Sequence, residues 1–171
     1  MSYKNENMKM IELHENGLDI QFRIRENGVV ELADFSSQEV KKAVMEPKDD
    51  ICYPAVEIHR SGTGSLNMHA YKNNINQSSV DFVYENHELK AQAGGKELEI
   101  VMISPEKLKA VYHMRLFDGV PAVQTWTEII NEGSEDQGLT YVSSFMYQGI
   151  SRGGKKPYYK KTDIYVPFNS W

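Results

Sequence analysis

The sequence predicts a mostly β protein, an antiparallel β-sandwich with at most one or two short helices. Three observations carry this. Apolar residues recur at a period of two, Asn-Gly and Asp-Gly dipeptides punctuate the runs, and the runs are rich in threonine, valine, isoleucine, tyrosine and tryptophan. Alternation places successive side chains on opposite faces of a strand, and β-branched and aromatic residues suit a pleated surface. Many short strands joined by Gly/Asn turns are the pattern of a sandwich. With 171 residues the chain fits one domain able to bury its own core.

In LDIQFRIR, residues Leu18, Ile20, Phe22 and Ile24 fall on one face and Asp19, Gln21, Arg23 and Arg25 on the other, a half-buried strand with a solvated polar side. Asn27-Gly28 then leads into VVELADF, and Asn16-Gly17 lies just upstream. Both dipeptides predict tight hairpin turns in which the two central residues take positive φ. Residues 36–46, SSQEVKKAVME, are the best helical candidate: Ser36 and Glu39 have capping-box spacing, and Pro47 ends the segment. The stretch 61–79 has no clear period and reads as a long loop, flanked by strands around Ala55–Ile58 and Val80–Tyr84. LEIVMIS (98–104) and LKAVYHMRLF (108–117) read as strands, the second with a helical alternative because Ser104-Pro105-Glu106 resembles a helix start. VQTWTEII, the turn NEGSEDQG and LTYVSSFMY form the clearest strand pair.

Charge and cysteine usage narrow the setting. A net charge of −5 argues against a dedicated nucleic-acid or anionic-membrane binder, although Arg152, Lys155, Lys156, Lys160 and Lys161 gather in the last 26 residues. The single Cys52 rules out an intrachain disulfide and, with the polar opening MSYKNENMKM, leads us to expect a cytoplasmic protein. No apolar run approaches the roughly 20 residues that span a bilayer.

None of the short motifs amounts to a catalytic site. Asp49-Asp50 and Glu135-Asp136 are adjacent, and adjacent side chains on a strand point to opposite faces. The histidines at 14, 59, 69, 87 and 113 show no HxH, HxxxH or HExxH spacing, so neither a metal site nor a cofactor is expected. Cys52 reads as a small buried residue. SGTGS (61–65) lacks the Gly-Lys-Ser/Thr and the strand–loop–helix frame of a phosphate loop. RGGKKPYYKK (152–161) interleaves cations with Tyr158 and Tyr159 like a single-strand nucleic-acid platform, but a solvated loop or an interface is the preferred reading in so acidic a chain.

Taken together, DGVPAVQTWTEIINEGSEDQGLTYVSSF and IYVPFNSW closely resemble the N-terminal domain of glycoside hydrolase family 36, the microbial α-galactosidases. The pattern falls on Asp118-Gly119, Pro121, Trp126-Thr127-Glu128, Asn131, Gly133, Leu139-Tyr141-Ser143-Ser144-Phe145 and Pro167-Asn169-Ser170-Trp171. YPAVEI (53–58) and KELEIV (96–101) resemble early strands of that domain. The resemblance spans roughly residues 15–171, leaving 1–14 as a tail; it is strong after 96, weaker before, and absent in the loop 61–79 and in SVDFVYENHEL.

The resemblance implies a supersandwich-like N-terminal domain cut before a (β/α)8 barrel, which alone needs about 250 residues. It implies a retaining mechanism whose two carboxyls, about 5–5.5 Å apart across the glycosidic bond, lie on that barrel. No residue of this chain therefore inherits a catalytic role. The α-galactoside would be bound through the barrel, and the domain would pack on the barrel and help build a homo-oligomer. On that basis His69, Tyr71 and Asn74 are candidate sugar contacts, and Arg152, Lys155, Lys156, Tyr158, Tyr159, Asn169 and Trp171 candidate interface residues. The alternatives are a stand-alone carbohydrate-binding or assembly module and, third, a nucleic-acid binder.

Overall fold

The computed structural model describes residues 9–37, 53–63 and 77–147. These form nine strands and one helical turn: β1 (Lys9–Glu15), β2 (Leu18–Ile24), β3 (Val30–Ser37), β4 (Ile58–Arg60), α1 (Gln77–Val80), β5 (Val83–Gln92), β6 (Gly95–Ile103), β7 (Leu108–Phe117), β8 (Val120–Asn131) and β9 (Leu139–Val142). They assemble into sheets ordered β1-β2-β3, β4-β9 and β5-β6-β7-β8, in which every pairing is antiparallel. The protein is a mostly β, antiparallel, sandwich-like fold. Among the described residues no helix is long and apolar enough to cross a membrane.

One hydrophobic core lies between the sheets. From β1–β3 it takes Ile11, Leu13, Leu18, Ile20, Phe22, Ile24, Val30 and Leu32, and from β6 and β7 Leu98, Ile100, Met102, Leu108, Ala110, Tyr112, Met114 and Leu116. The alternation read in LDIQFRIR is therefore the core face of β2. Phe22 and Tyr112 meet edge to face with centroids 5.7 Å apart, which aligns the quadrupoles of the two rings. Burial pushes the Tyr112 phenol well above its usual range, against an opposing hydrogen bond with Thr125.

The opposite side of β2 departs from expectation. Arg23 is buried, and its Nε and Nη2 donate to Glu31 Oε2 at 3.0 and 2.7 Å. Glu31 Oε1 accepts from Arg25 Nη1 at 3.2 Å and from the Tyr53 amide at 2.9 Å. The segment after residue 52 covers this face, with the Ala55 amide donating to Val30 O. A register shift between Gln21 and Phe22 leaves Ala33 outside the Cα pairing of β2 with β3. Such bulges bend a strand and increase its twist.

The two Asn-Gly dipeptides make different turns. At Asn16-Gly17 both residues have positive φ, 52° and 84°, as a two-residue hairpin between Glu15 and Leu18 requires. At Asn27-Gly28 only Gly28 is positive: its amide donates to Arg25 O and the Arg25 amide to Val29 O, a three-residue loop. Gly28 also sits against β5, where an added Cβ would come within 2.9 Å of Val83 Cβ.

Three further expectations change, and one open alternative closes. Ser36 and Ser37 extend β3, and Ser36 Oγ donates to Asp34 instead of capping a helix; the rest of the helical candidate lies outside the described residues. Val80 belongs to α1, so the strand that follows starts at Val83, while Ala55 and Val56 form a bend before β4. Residues 108–117 are strand β7 and not helix, because pairing on both sides satisfies their backbone groups. Strands β8 and β9 do not pair with each other. Gly138 O accepts the Ser61 amide, and β9 runs beside β4.

Removing one partner of a buried ion pair leaves the other charge without compensation, at a cost of about 3–5 kcal/mol. Glu31→Ala should destabilise the protein by an amount of that order in urea unfolding, because Arg23, Arg25 and the Tyr53 amide all lose this shared acceptor. Alanine at a left-handed glycine costs roughly 1–2 kcal/mol. Gly17→Ala should fall there, since nothing lies within 4 Å, and Gly28→Ala should cost more, having also to displace Val83.

Candidate functional site

Among the described residues, the outward face of the four-stranded sheet gathers the most chemistry. Its register sets Glu99 opposite His113 and His113 opposite Trp126, with Glu97 one step along β6 and Glu128 one step along β8. Alternation places all five on one side, away from the core residues Leu98, Ile100, Tyr112 and Met114. Trp126 stacks on the imidazole with centroids 4.6 Å apart and planes within 5°. His113 Nδ1 lies 2.9 Å from Glu97 Oε1, and its Nε2 points toward Glu128 Oε2 at 3.8 Å. That Nε2 is buried and has no hydrogen-bond partner. On the other flank, Lys90 Nζ donates to Glu99 Oε2 and stands 3.8 Å from Glu88. The bond to Glu99 raises the Lys90 pKa above its ordinary value. One donor atom each from Glu97, Glu99 and His113 lies within 4.8 Å of the others, so these residues could jointly hold a cation.

A second feature is an open cleft of about 510 Å3 between the β6–β7 turn and the β8–β9 connection, lined in part by Glu106, Lys107, Glu132 and Glu135. Arg60 anchors one wall, donating Nη1 to Glu106 at 2.6 Å and Nη2 to Asp81 at 3.1 Å. Burial alone would raise the Glu106 carboxyl, but hydrogen bonds from Arg60, its own backbone and Ser104 hold it below the usual carboxylate range. The opposite wall is fixed by the Glu132 amide donating to Lys107 O and by Lys109 pairing with Glu132.

The sequence-derived candidates fall elsewhere. His69, Tyr71 and Asn74, and likewise Arg152, Lys155, Lys156, Tyr158, Tyr159, Asn169 and Trp171, all lie outside the described residues. So do Cys52 and Asp49-Asp50, while Glu135 and Asp136 are exposed in the connection after β8. Several of the pattern residues that are described occupy structural joints. Gly119 donates its amide to Asn16 Oδ1 while Asn16 Nδ2 donates to Phe117 O, locking the β1–β2 and β7–β8 turns together. Thr127 Oγ1 donates to Ser143 O, and Ser143 exchanges two hydrogen bonds with Glu57. Asn131 Oδ1 accepts the Gly133 amide, and an added Cβ at Gly133 would lie 2.6 Å from Glu106 O.

Spacing along the chain cannot reveal the Glu97–Glu99–His113 grouping, because its members meet only across strands. The one local signal is that Glu97 and Glu99 sit two apart on a single strand. The chain matches no known family model, and no curated protein matches it significantly.

Two further histidines are tuned in opposite directions. The hydrogen bond with Asp19 raises His14 above 6.5; burial, then the nearby Lys9 charge, lowers His87. His14 therefore contributes stability that is present at low pH and lost as pH rises through its folded value. His87 contributes stability present above 6.5 and lost as pH falls through its folded value. An NMR titration of the ring protons should show the His14 midpoint above 6.5 and that of His87 below it. Lys9→Met should move the His87 midpoint upward.

Proposed function

We propose that the chain is the non-catalytic N-terminal β-sandwich domain of a retaining α-galactosidase of glycoside hydrolase family 36. In this reading it packs against a (β/α)8 barrel that carries both reacting carboxyls, and it aids assembly of a homo-oligomer. The glycoside is a terminal α-galactoside held by the barrel, in a cytoplasmic enzyme. The antiparallel sandwich is the fold class that this role needs. Several residues of the sequence pattern behind the resemblance, Gly119, Thr127, Asn131 and Gly133, tie turns and strands to one another, as residues of a fold signature do.

The observation that carries the reading is on and after β9. Leu139, Tyr141 and Phe145, all members of the pattern, remain 40%, 49% and 42% exposed. Their backbone is held firmly: Thr140 Oγ1 donates to His59 O, Tyr141 packs on the His59 ring at 5.2 Å, and Phe145 packs edge-on to Phe35 at 5.6 Å. Ordered strands that present several large apolar side chains to solvent mark surfaces for another protein module. Docking a barrel there would remove that apolar area from water.

The test compares this chain with the product of its complete coding region on a chromogenic α-galactoside. The chain alone should release no chromophore, and the complete product should hydrolyse the substrate with retention of configuration. Hydrolysis by the purified chain alone would overturn the assignment. A coding region with no barrel would overturn it too, in favour of a stand-alone carbohydrate-binding or assembly module.

A further inference from the structure

The polar face of β6–β8 holds an arrangement that the proposed function does not use. We propose that Glu97, Glu99 and His113 form a binding site for one borderline divalent cation of the Zn2+ class. Two observations meet here independently. The first is geometric: a donor atom from each residue lies within 4.8 Å of the others, close enough for a single ion to be reached by all three. The second is the histidine itself. Its side chain is nine-tenths buried, yet Nε2 lacks a hydrogen-bond partner, a state that native structures seldom leave unrelieved.

A cation on the β6 side would make Nε2 a donor facing a carboxylate. Coordination through Nδ1 takes the proton from that nitrogen and requires the ring to carry its proton on Nε2. The Nε2–H then faces Glu128 Oε2, 3.8 Å away on the neighbouring strand, and the 57% exposed Glu128 side chain has to swing in to accept it. A ligating imidazole that donates its other N–H to a carboxylate is the usual outer arrangement of protein metal sites, because it fixes the tautomer and strengthens the ligand. Trp126, stacked flat on the ring, blocks its rotation and leaves the ring plane, where a metal binds, unobstructed.

The charges also suit a cation. Glu97 and Glu99 place two carboxylates on one strand face, and Lys90 is the ammonium resting on Glu99. Lys90 is 37% exposed and can turn toward Glu88 and solvent when an ion replaces it. Glu97 and Glu99 retain 12% and 22% exposure, so an ion can enter and keep water in its remaining positions. One imidazole with two carboxylates favours Zn2+ or a similar first-row ion over Mg2+ and Ca2+, which prefer all-oxygen shells. The expectation of no metal site rested on spacing along the chain, whereas these ligands converge across strands.

Titration calorimetry of the full chain with Zn2+, in a buffer that does not bind the ion, tests the site. One equivalent should bind, Mg2+ and Ca2+ should not at equal concentration, and bound Zn2+ should raise Tm. His113→Gln should abolish binding, and Glu99→Gln, at a part-exposed position that leaves the core intact, should weaken it roughly tenfold or more. If His113→Gln fails to fold, the Glu99→Gln result decides alone. Absence of saturable Zn2+ binding, equal binding of Mg2+, or an unchanged isotherm in the folded variants would overturn the proposal.

Discussion

Strand β7 is covered on both faces, and this constrains everything paired with it. Its inward side chains Leu108, Ala110, Tyr112, Met114 and Leu116 fill the core, while the outward Val111 and His113 are buried as well. A strand in this position cannot slip by one residue without exchanging Tyr112 for His113 in the core. Its register with β6 and β8 is thus held by apolar burial on one side and by the polar contacts of His113 on the other. The grouping of Glu97, Glu99, His113, Trp126 and Glu128 is a by-product of that register, and it is as firmly placed as the core is.

The three-stranded sheet solves a different problem. Arg23 and Glu31 lie on the side that alternation assigns to solvent, but the chain after residue 52 closes over them. Two cations and a backbone amide on one carboxylate give the pair the hydrogen bonds that a buried charge requires. A well-packed apolar substitute could be equally stable, so the cluster's value lies in specificity. It admits only the arrangement in which the Tyr53 amide arrives at Glu31, and so fixes where the incoming segment crosses β3.

What the sequence made legible follows the range of each interaction. β2 and β7 were readable because their patterns are local: four alternating apolar residues in one, and ten residues between a proline-bearing turn and Asp118-Gly119 in the other. The burial of Arg23 was not, because its cover arrives from some thirty residues away. The two Asn-Gly dipeptides diverge for the same reason. Gly28 O accepts the Tyr84 amide, a partner invisible from the turn itself. The expected β8–β9 hairpin fails because Asn131 and Gly133 turn the chain through their own hydrogen bonds, and Gly138 then pairs with Ser61. The cation-site candidate needed two registers to be known at once, which residue spacing does not encode.

The two surfaces of interest share no residue. The exposed apolar positions Leu139, Tyr141 and Phe145 are tied to the sandwich through His59 and Phe35, whereas the His113 cluster is built on β6, β7 and β8. Their nearest link is the bond from Thr127 to Ser143 O, and Thr127 lies on the face of β8 opposite Trp126 and Glu128. A module docked on β9 therefore need not displace the polar cluster, and a cation at the cluster need not alter the apolar surface. The two assignments rest on different physics, apolar area in one case and an imidazole with an unmet hydrogen bond in the other. Loss of either one leaves the argument for the other unchanged.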